Sequence, residues 1–227
     1  MKKLIALTLA VMMLASLASC GLTDTVNEAV NDAVNDAVND VVNEVTEQVN
    51  KDISRGVIVG DVYTSDFSGI TFTKPSDWVY STDEELAQLI NTSLDNLNAT
   101  DLAKTLTELG SVYDMMVTDT YSGTNVIVAY ENFSVTNAGK TMTESEYLEA
   151  LKTGLSAQTG MGYEFVSEET VYLSGNSYLK GTFSVDASGV SLTQVYYLRD
   201  IDGIMNSIIV TPVNGYYDTD IEAMFSQ

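Results

Sequence analysis

Four strand-like segments follow one another in the last third of the chain, and only short turns separate them. They cover residues 163–168, 177–185, 191–199 and 204–211, and they are rich in the β-branched and aromatic residues that favour strands. Asp202-Gly203 lies between the last two, and both residues tolerate the positive φ angles of a two-residue hairpin turn. Strands with such short connections pair antiparallel. An antiparallel sheet is therefore predicted at the centre of the fold.

Helix start signals occur between and after the strands. Capping boxes, in which a Thr precedes a Glu by three residues, are formed by Thr82 with Glu85, Thr143 with Glu146 and Thr219 with Glu222. A further helix is expected over 101–109, and shorter strands over 57–59, 62–63, 70–73, 112–117 and 125–131. Turns are expected at Ser68-Gly69 and Ser122-Gly123. Helices segregated to the faces of an antiparallel sheet define the α+β class.

A short apolar segment near the N-terminus ends at the only cysteine, Cys20. Lys2 and Lys3 precede this segment, and small residues follow it, as in a secretory signal. The segment over 4–14 is too short for the roughly 20 residues that span a bilayer. Residues 1–19 are therefore predicted to be a signal peptide.

The tetrad Leu17-Ala18-Ser19-Cys20 resembles the lipobox of bacterial lipoproteins. The resemblance implies cleavage before Cys20 and a diacylglycerol linked to its sulfur atom. Two acyl chains hold a protein stably at a bilayer. The mature chain is therefore expected at the extracytoplasmic face of the bacterial cell membrane, anchored by lipid and not spanning.

An acidic repeat with a period of four residues begins at Val26 and fills much of the segment 20–56. Thr25 and Glu28 fit a capping box, and Gly56 fits a helix stop, so the repeat is predicted to be a helical spacer. A period of four lets the Val and Ala stripe drift around a helix of 3.6 residues per turn. The alternative is self-association through this stripe, which would give a homo-oligomer, or docking of a partner on it. The globular domain is expected over 57–227.

The charge balance excludes some functions. The chain has 32 Asp and Glu against 10 Lys and Arg and a formal charge of −22, so it repels the phosphates of nucleic acids. It has no histidine, which is the commonest general base and metal ligand. No cofactor and no metal are expected, and nucleic acid is not expected as a partner.

The opening of the domain resembles PsbP-like domains, a family named after an extrinsic subunit of photosystem II. The resemblance rests on Phe67-Ser68-Gly69-Ile70-Thr71-Phe72-x-x-Pro75-x-x-Trp78. Uncharacterised Firmicutes surface lipoproteins are similar in this stretch, in Asp83-Glu84-Glu85-Leu86 and in a Ser-Val-Tyr-Asp element over 111–114. The resemblance covers about residues 60–226 and implies an α/β/α sandwich. It implies no metal site here, because this chain lacks the histidines that such a site would use.

Candidate catalytic carboxylates all have a simpler explanation. Glu144, Glu146, Glu168, Glu169 and the run 83–85 lie at predicted helix starts or strand ends, where acids favour the helix dipole or keep the surface hydrated. Asp200-x-Asp202-Gly203 contains possible calcium ligands, but it lacks the spacing of an EF-hand loop and fits the hairpin turn. No catalytic residue is predicted.

Tyrosine is the one compositional indication of binding. Among 13 tyrosines, the pairs Tyr196-Tyr197 and Tyr216-Tyr217 are the candidates, because tyrosine gives rigid amphipathic contact area at interfaces. The alternative is that these rings cover the core.

The leading hypothesis is a non-enzymatic binding or scaffolding module with an unknown protein or glycan partner. The first alternative is an enzyme with an unrecognised carboxylate site that acts on cell-wall or glycan material. A transporter substrate-binding protein is a weaker alternative, because it would need two lobes around a cleft.

Overall fold

The computed structural model describes residues 53–89, 102–137, 139–158, 161–187, 190–213 and 215–226. The predicted signal peptide, Cys20 and the acidic repeat lie outside the described residues, as do the end of the first predicted helix and the start of the second. Among the described residues, no helix has the length and apolar character needed to cross a membrane.

The first three strands form a small antiparallel sheet. They are β1 (Val57–Val59), β2 (Val62–Ser65) and β3 (Ile70–Thr73), in that order. The C-terminal segment extends this sheet, because Phe225 bridges Phe72 and the Ser226 amide donates to the Thr71 carbonyl oxygen at 3.1 Å. The predicted bend at Ser68-Gly69 is confirmed, with Gly69 at a φ of 64°.

The other seven strands form the large sheet, and all neighbouring strands are antiparallel. The strands are β4 (Trp78–Tyr80), β5 (Ser111–Asp119), β6 (Asn125–Asn132), β7 (Gly162–Leu173), β8 (Asn176–Ala187), β9 (Val190–Ile201) and β10 (Ile204–Thr211). Their spatial order is β4-β5-β6-β10-β9-β8-β7. The predicted hairpin between β9 and β10 is confirmed, because Ile201 pairs with Ile204 and φ is 53° at Asp202 and 85° at Gly203.

Five helices are present in the described part of the chain. They are α1 (Asp83–Leu89), α2 (Leu102–Leu109), α3 (Phe133–Thr136), α4 (Glu144–Ser156) and α5 (Asp218–Glu222). The capping box at α4 is confirmed: the Thr143 amide donates to Glu146 Oε2 at 2.8 Å, and the Glu146 amide donates to Thr143 Oγ1 at 3.3 Å. The same reciprocal pair joins Thr82 and Glu85 at the start of α1.

The large sheet lies between two layers. Side chains alternate across β8, so Gly181 and Lys180 face opposite sides. A β-carbon at Gly181 would lie 2.4 Å from Leu148 Cδ1, which places α4 on that side. Lys180 contacts Glu222 of α5 on the other side. The small sheet shares that second side, because Tyr130 of β6 reaches Ser65 and Ser68.

This arrangement confirms the α+β class and the antiparallel sheet flanked by helices. The core forms where the two layers meet the sheet, and five of its large side chains show how completely it is buried. These residues are Phe72, Trp78, Ile127, Leu151 and Val195.

Three local predictions are wrong or incomplete. The strand β4, which contains Trp78 and pairs with β5, was not predicted. The short helix α3 was not predicted. The last helix begins at Asp218 and not after a Thr219 cap, because Tyr217 is its N-cap and the Tyr217 amide donates to Asp220 Oδ2 at 2.8 Å.

Candidate binding surface

Tyr196 and Tyr197 lie inside the protein, so neither offers its ring to a partner. They point to opposite faces of the large sheet, and their exposed fractions are 3% and 1%. The Tyr196 hydroxyl donates to Gln194 Oε1 at 2.8 Å, and the Tyr197 hydroxyl donates to Glu222 Oε1 at 2.9 Å. Burial raises the pKa of both hydroxyls. Both rings belong to the core, because layers pack on both faces of this sheet. Neither ring is therefore part of an exposed binding surface.

Tyr216 lies against the only tryptophan of the chain. The two rings are edge-on with their centroids 5.4 Å apart, and Trp78 Nε1 donates to the Tyr216 hydroxyl at 3.3 Å. Trp78 is buried, whereas Tyr216 is partly exposed. The position of Tyr216 therefore depends on the indole beneath it.

Tyr217 follows directly and projects into solvent, with 70% of the residue exposed. Its backbone is nevertheless fixed. The Tyr217 amide donates to Asp220, and its carbonyl oxygen accepts hydrogen bonds from the amides of Asp220 and Ile221. Ile221 is completely buried, so it holds this first turn of α5 to the core. Tyr217 is thus an exposed ring on a fixed backbone.

Tyr121 is the most exposed large hydrophobic residue in the described part of the chain, at 93%. It lies in the turn between β5 and β6, and Asp119 holds this turn. Asp119 Oδ1 accepts from the Tyr121 amide at 2.8 Å, and Asp119 Oδ2 accepts from Ser122 Oγ at 2.5 Å. Burial opposes the charge on Asp119, but these hydrogen bonds outweigh it and lower the pKa of the carboxyl. An ionised acceptor makes such hydrogen bonds stronger.

A second set of hydrogen bonds joins the Tyr121 turn to the segment that leads to Tyr216. Thr124 Oγ1 donates to the Val213 carbonyl oxygen at 2.9 Å and accepts from the Val213 amide at the same distance. Trp78 also pairs with Asp119 across β4 and β5. All of these residues therefore lie at one end of the large sheet. We call this surface the aromatic end, which consists of Trp78, Tyr121, Tyr216 and Tyr217.

The sequence names Tyr216 and Tyr217 as candidates, whereas Tyr121 becomes a candidate only from the structure. A signal was present, because Tyr121 immediately precedes the predicted Ser122-Gly123 turn, where a side chain points to solvent. That turn is confirmed, with Gly123 at a φ of 89°.

Six of the seven candidate catalytic carboxylates have a structural contact, and the seventh, Glu84, is exposed. Asp83 pairs with Arg55 at 2.9 Å, Glu168 with Lys152 at 3.2 Å and Glu169 with Lys180 at 3.1 Å. Glu85 and Glu146 belong to the capping boxes, and Glu144 Oε1 accepts from the Asp200 amide at 3.0 Å. These contacts give each of the six acids a structural role.

The possible calcium ligands form the hairpin instead. Asp200 Oδ1 accepts from the Gly203 amide at 3.1 Å. Burial, together with nearby Glu144 and Asp202, raises the pKa of Asp200 despite this hydrogen bond. In the described part of the chain, no group of three or more His, Cys, Asp or Glu is arranged to hold a metal ion.

An open depression with a volume of about 490 Å³ lies where β7 begins and the β8–β9 turn approaches. Its lining is mostly polar and consists of Gly162, Glu164, Ser184, Val185, Asp186 and Ser191. The strand register places it toward the same end of the strands as the aromatic end but at the opposite edge of the large sheet, on β7, β8 and β9.

The residues that precede β1 are joined to the domain by an ionic contact. Asp114 is buried at a bulge in β5, where the register shifts between Tyr113 and Met115. Its carboxylate accepts from Arg55 Nε at 3.0 Å and from the Gly56 amide at 2.8 Å. The domain therefore makes contacts ahead of Val57. We call these contacts the Arg55 junction.

No protein-family model matches the chain, and no curated protein matches it. Two similar solved structures have low sequence identity. The solution structure of cyanobacterial PsbP (CyanoP) from Synechocystis sp. PCC 6803 is 14% identical, with a TM-score of 0.45, over 75% of this chain and 94% of that chain. A crystal structure from Bacteroides thetaiotaomicron VPI-5482 is 13% identical, with a TM-score of 0.40, over 74% of this chain and 47% of that chain. Both TM-scores are below 0.5, so membership of the PsbP-like family stays a prediction.

Proposed function

We propose that this chain is a lipid-anchored extracytoplasmic binding module without enzymatic activity, and that its aromatic end contacts a protein or glycan partner. The observation that carries the proposal is the exposure of Tyr121 and Tyr217 on backbone that hydrogen bonds hold in place. A ring on a preorganised backbone loses little conformational entropy when it binds. Tyrosine also combines an apolar face with a hydroxyl group, which suits both peptide and sugar surfaces.

The anchor in this proposal is Cys20, through the lipobox tetrad in the sequence. The Arg55 junction supports the tethered arrangement, because it fixes the last residues of the connecting segment to a buried carboxylate. A module fixed in this way would present the aromatic end at a defined position relative to its tether.

The charge distribution narrows the choice of partner. The cations Arg55, Lys74, Lys104, Lys152 and Lys180 each pair with at least one carboxylate. With 32 acids in the whole chain, the surface is strongly anionic, which disfavours polyanionic partners such as nucleic acids.

The anchor is tested by replacing Cys20 with Ala in the producing cell and separating membrane from soluble fractions. We expect an unprocessed precursor or a released product cut elsewhere. Processing and membrane retention equal to those of the parent would contradict the lipid anchor.

The aromatic end is tested on the anchored protein with the double variant Tyr121→Ala/Tyr217→Ala. Tyr172→Ala is the matched control, because Tyr172 is 71% exposed but lies at the far end of β7. Partners crosslinked on intact cells are quantified by mass spectrometry. We expect the double variant alone to lose a specific partner, whereas equal recovery from all three proteins would contradict the proposal.

A further inference from the structure

One ammonium group holds the helix that follows the aromatic end. Lys180 lies on β8 with its side chain only 5% exposed. Three carboxylates converge on its Nζ atom: Asp218 at 2.6 Å, Glu222 at 2.8 Å and Glu169 at 3.1 Å. Asp218 and Glu222 are the first and last residues of α5, and Glu169 belongs to β7. A single cation therefore joins α5 to the large sheet.

The other groups around this nitrogen do not replace its charge. From β9, Tyr197 donates its hydroxyl to Glu222, and its ring centroid lies 5.8 Å from Lys180 Nζ. Farther along the same face, Arg199 donates to the Ser68 carbonyl oxygen at 2.9 Å. In the described part of the chain, Lys180 is thus the cation that pairs with these three acids.

Lys180 and Asp218, which form the shortest ion pair of this cluster, both keep their charges at neutral pH. Burial disfavours the ammonium form of Lys180, but hydrogen bonds to Asp218, Glu222 and Glu169 outweigh burial and raise the pKa of the lysine. Burial likewise opposes the charge on Asp218, yet Lys180 lowers the pKa of that carboxyl. Removing the cation would leave like charges close together, which repel.

The cluster is directly connected to the aromatic end. Asp218 is the residue after Tyr217, and Tyr217 is the N-cap of α5. Tyr216 comes one residue earlier and accepts the hydrogen bond from the Trp78 indole. A shift of α5 would therefore move both tyrosines and break the contact with Trp78.

We propose that Lys180 is the positioning residue of the aromatic end: its ion pairs with Asp218 and Glu222 hold α5 and so fix where Tyr216 and Tyr217 lie. A role in binding rests on the proposed function above. The positioning itself rests only on the contacts within the protein.

Trp78 is the only tryptophan, so its fluorescence and its indole N–H signal in NMR report on Tyr216 without any partner. The experiment compares Lys180→Met and Asp218→Asn with the parent, using the full mature chain in detergent. Lys152→Met is the matched control, because Lys152 also pairs with two carboxylates, at 2.7 and 3.2 Å, but contacts no residue of α5 in these pairs.

We expect Lys180→Met to shift the Trp78 emission to longer wavelength and to move the indole signal, because Tyr216 no longer covers the ring. Asp218→Asn should cause a smaller shift in the same direction, and Lys152→Met should cause none. In the parent, the Trp78 emission should also shift to longer wavelength as the pH falls through the lowered pKa of Asp218. This pH-dependent shift should be missing in Asp218→Asn. If Lys180→Met does not fold, the nearly isosteric Asp218→Asn decides the question.

Unchanged Trp78 signals in folded Lys180→Met and Asp218→Asn, or an equal shift in Lys152→Met, would overturn the positioning role. Partner capture on cells separates this result from the proposed function. Altered Trp78 signals with unchanged capture would uphold the positioning role and contradict binding at the aromatic end.

Discussion

Arg55 and Asp114 are 59 positions apart in sequence, yet Arg55 Nε lies 3.0 Å from Asp114 Oδ1. Arg55 also donates from Nη2 to the Asp114 carbonyl oxygen at 3.0 Å, and the Tyr63 hydroxyl donates to Asp114 Oδ2 at 2.6 Å. Burial opposes the charge on Arg55, but Asp114 and Asp83 outweigh it and raise the pKa of the guanidinium. The contact joins the residues before β1 to β5 of the large sheet.

Asp114→Asn should destabilise the domain by about 3 kcal/mol, because it leaves a largely buried guanidinium without its buried counter-charge. The amide group would also face donors from Gly56 and Tyr63. Urea unfolding measures the effect. Asp66→Asn is the control, since Asp66 is exposed, and it should change the free energy of unfolding by less than about 0.5 kcal/mol. Equal effects of the two substitutions would contradict the structural role of the Arg55 junction.

Gly181→Ala should destabilise the domain by about 1–3 kcal/mol, because the added methyl group would lie 2.4 Å from Leu148 Cδ1 in a packed core. The same substitution should cost at least about 1 kcal/mol less in a Leu148→Ala background, where the space is free. A double-mutant cycle from urea unfolding measures this coupling. Additive effects would show that α4 does not pack on Gly181 as described.

Asp119→Asn should weaken the turn that carries Tyr121, and the loss of stability should depend on pH. A carboxyl with a lowered pKa in the folded state stabilises the fold above its ordinary pKa, and this contribution is lost as the pH falls through the lowered value. We expect a cost of about 2 kcal/mol at neutral pH and a smaller difference between parent and variant near about pH 3. Urea unfolding at both pH values tests this, and a pH-independent difference would contradict it.

Local signals account for the parts of the fold that the sequence predicted. A capping box or an Asp-Gly hairpin turn is formed by residues within a few positions of one another, so the local sequence is enough to predict it. β4 was missed because it has three residues and is stabilised by pairing with β5. The helix α3, Phe-Ser-Val-Thr, has residues that favour strands and is a single turn. Its Asn132 cap accepts from the Ser134 amide and supports it.

The sequence indicated Tyr216 and Tyr217 as candidates, but it did not indicate the burial of Tyr196 and Tyr197, which depends on distant parts of the chain. Alternation in β9 correctly places Tyr196 and Tyr197 on opposite faces, but it does not indicate that layers cover both faces. That depends on α4 on one side and on α5 with the small sheet on the other. The three acids around Lys180 come from β7 and α5, about 11 to 42 positions away, so no spacing in the sequence indicates them.

Photo-crosslinking on intact cells tests the central claim most directly. A photoreactive phenylalanine analogue replaces Tyr121, Tyr217 or the control residue Tyr172, one at a time, in the anchored full-length protein. The account predicts the same crosslinked partner from positions 121 and 217 and none from position 172. It predicts that the position 121 product also disappears when Tyr217 is replaced by Ala. Crosslinks from position 172 alone, or equal nonspecific products from all three positions, would contradict a binding function at the aromatic end.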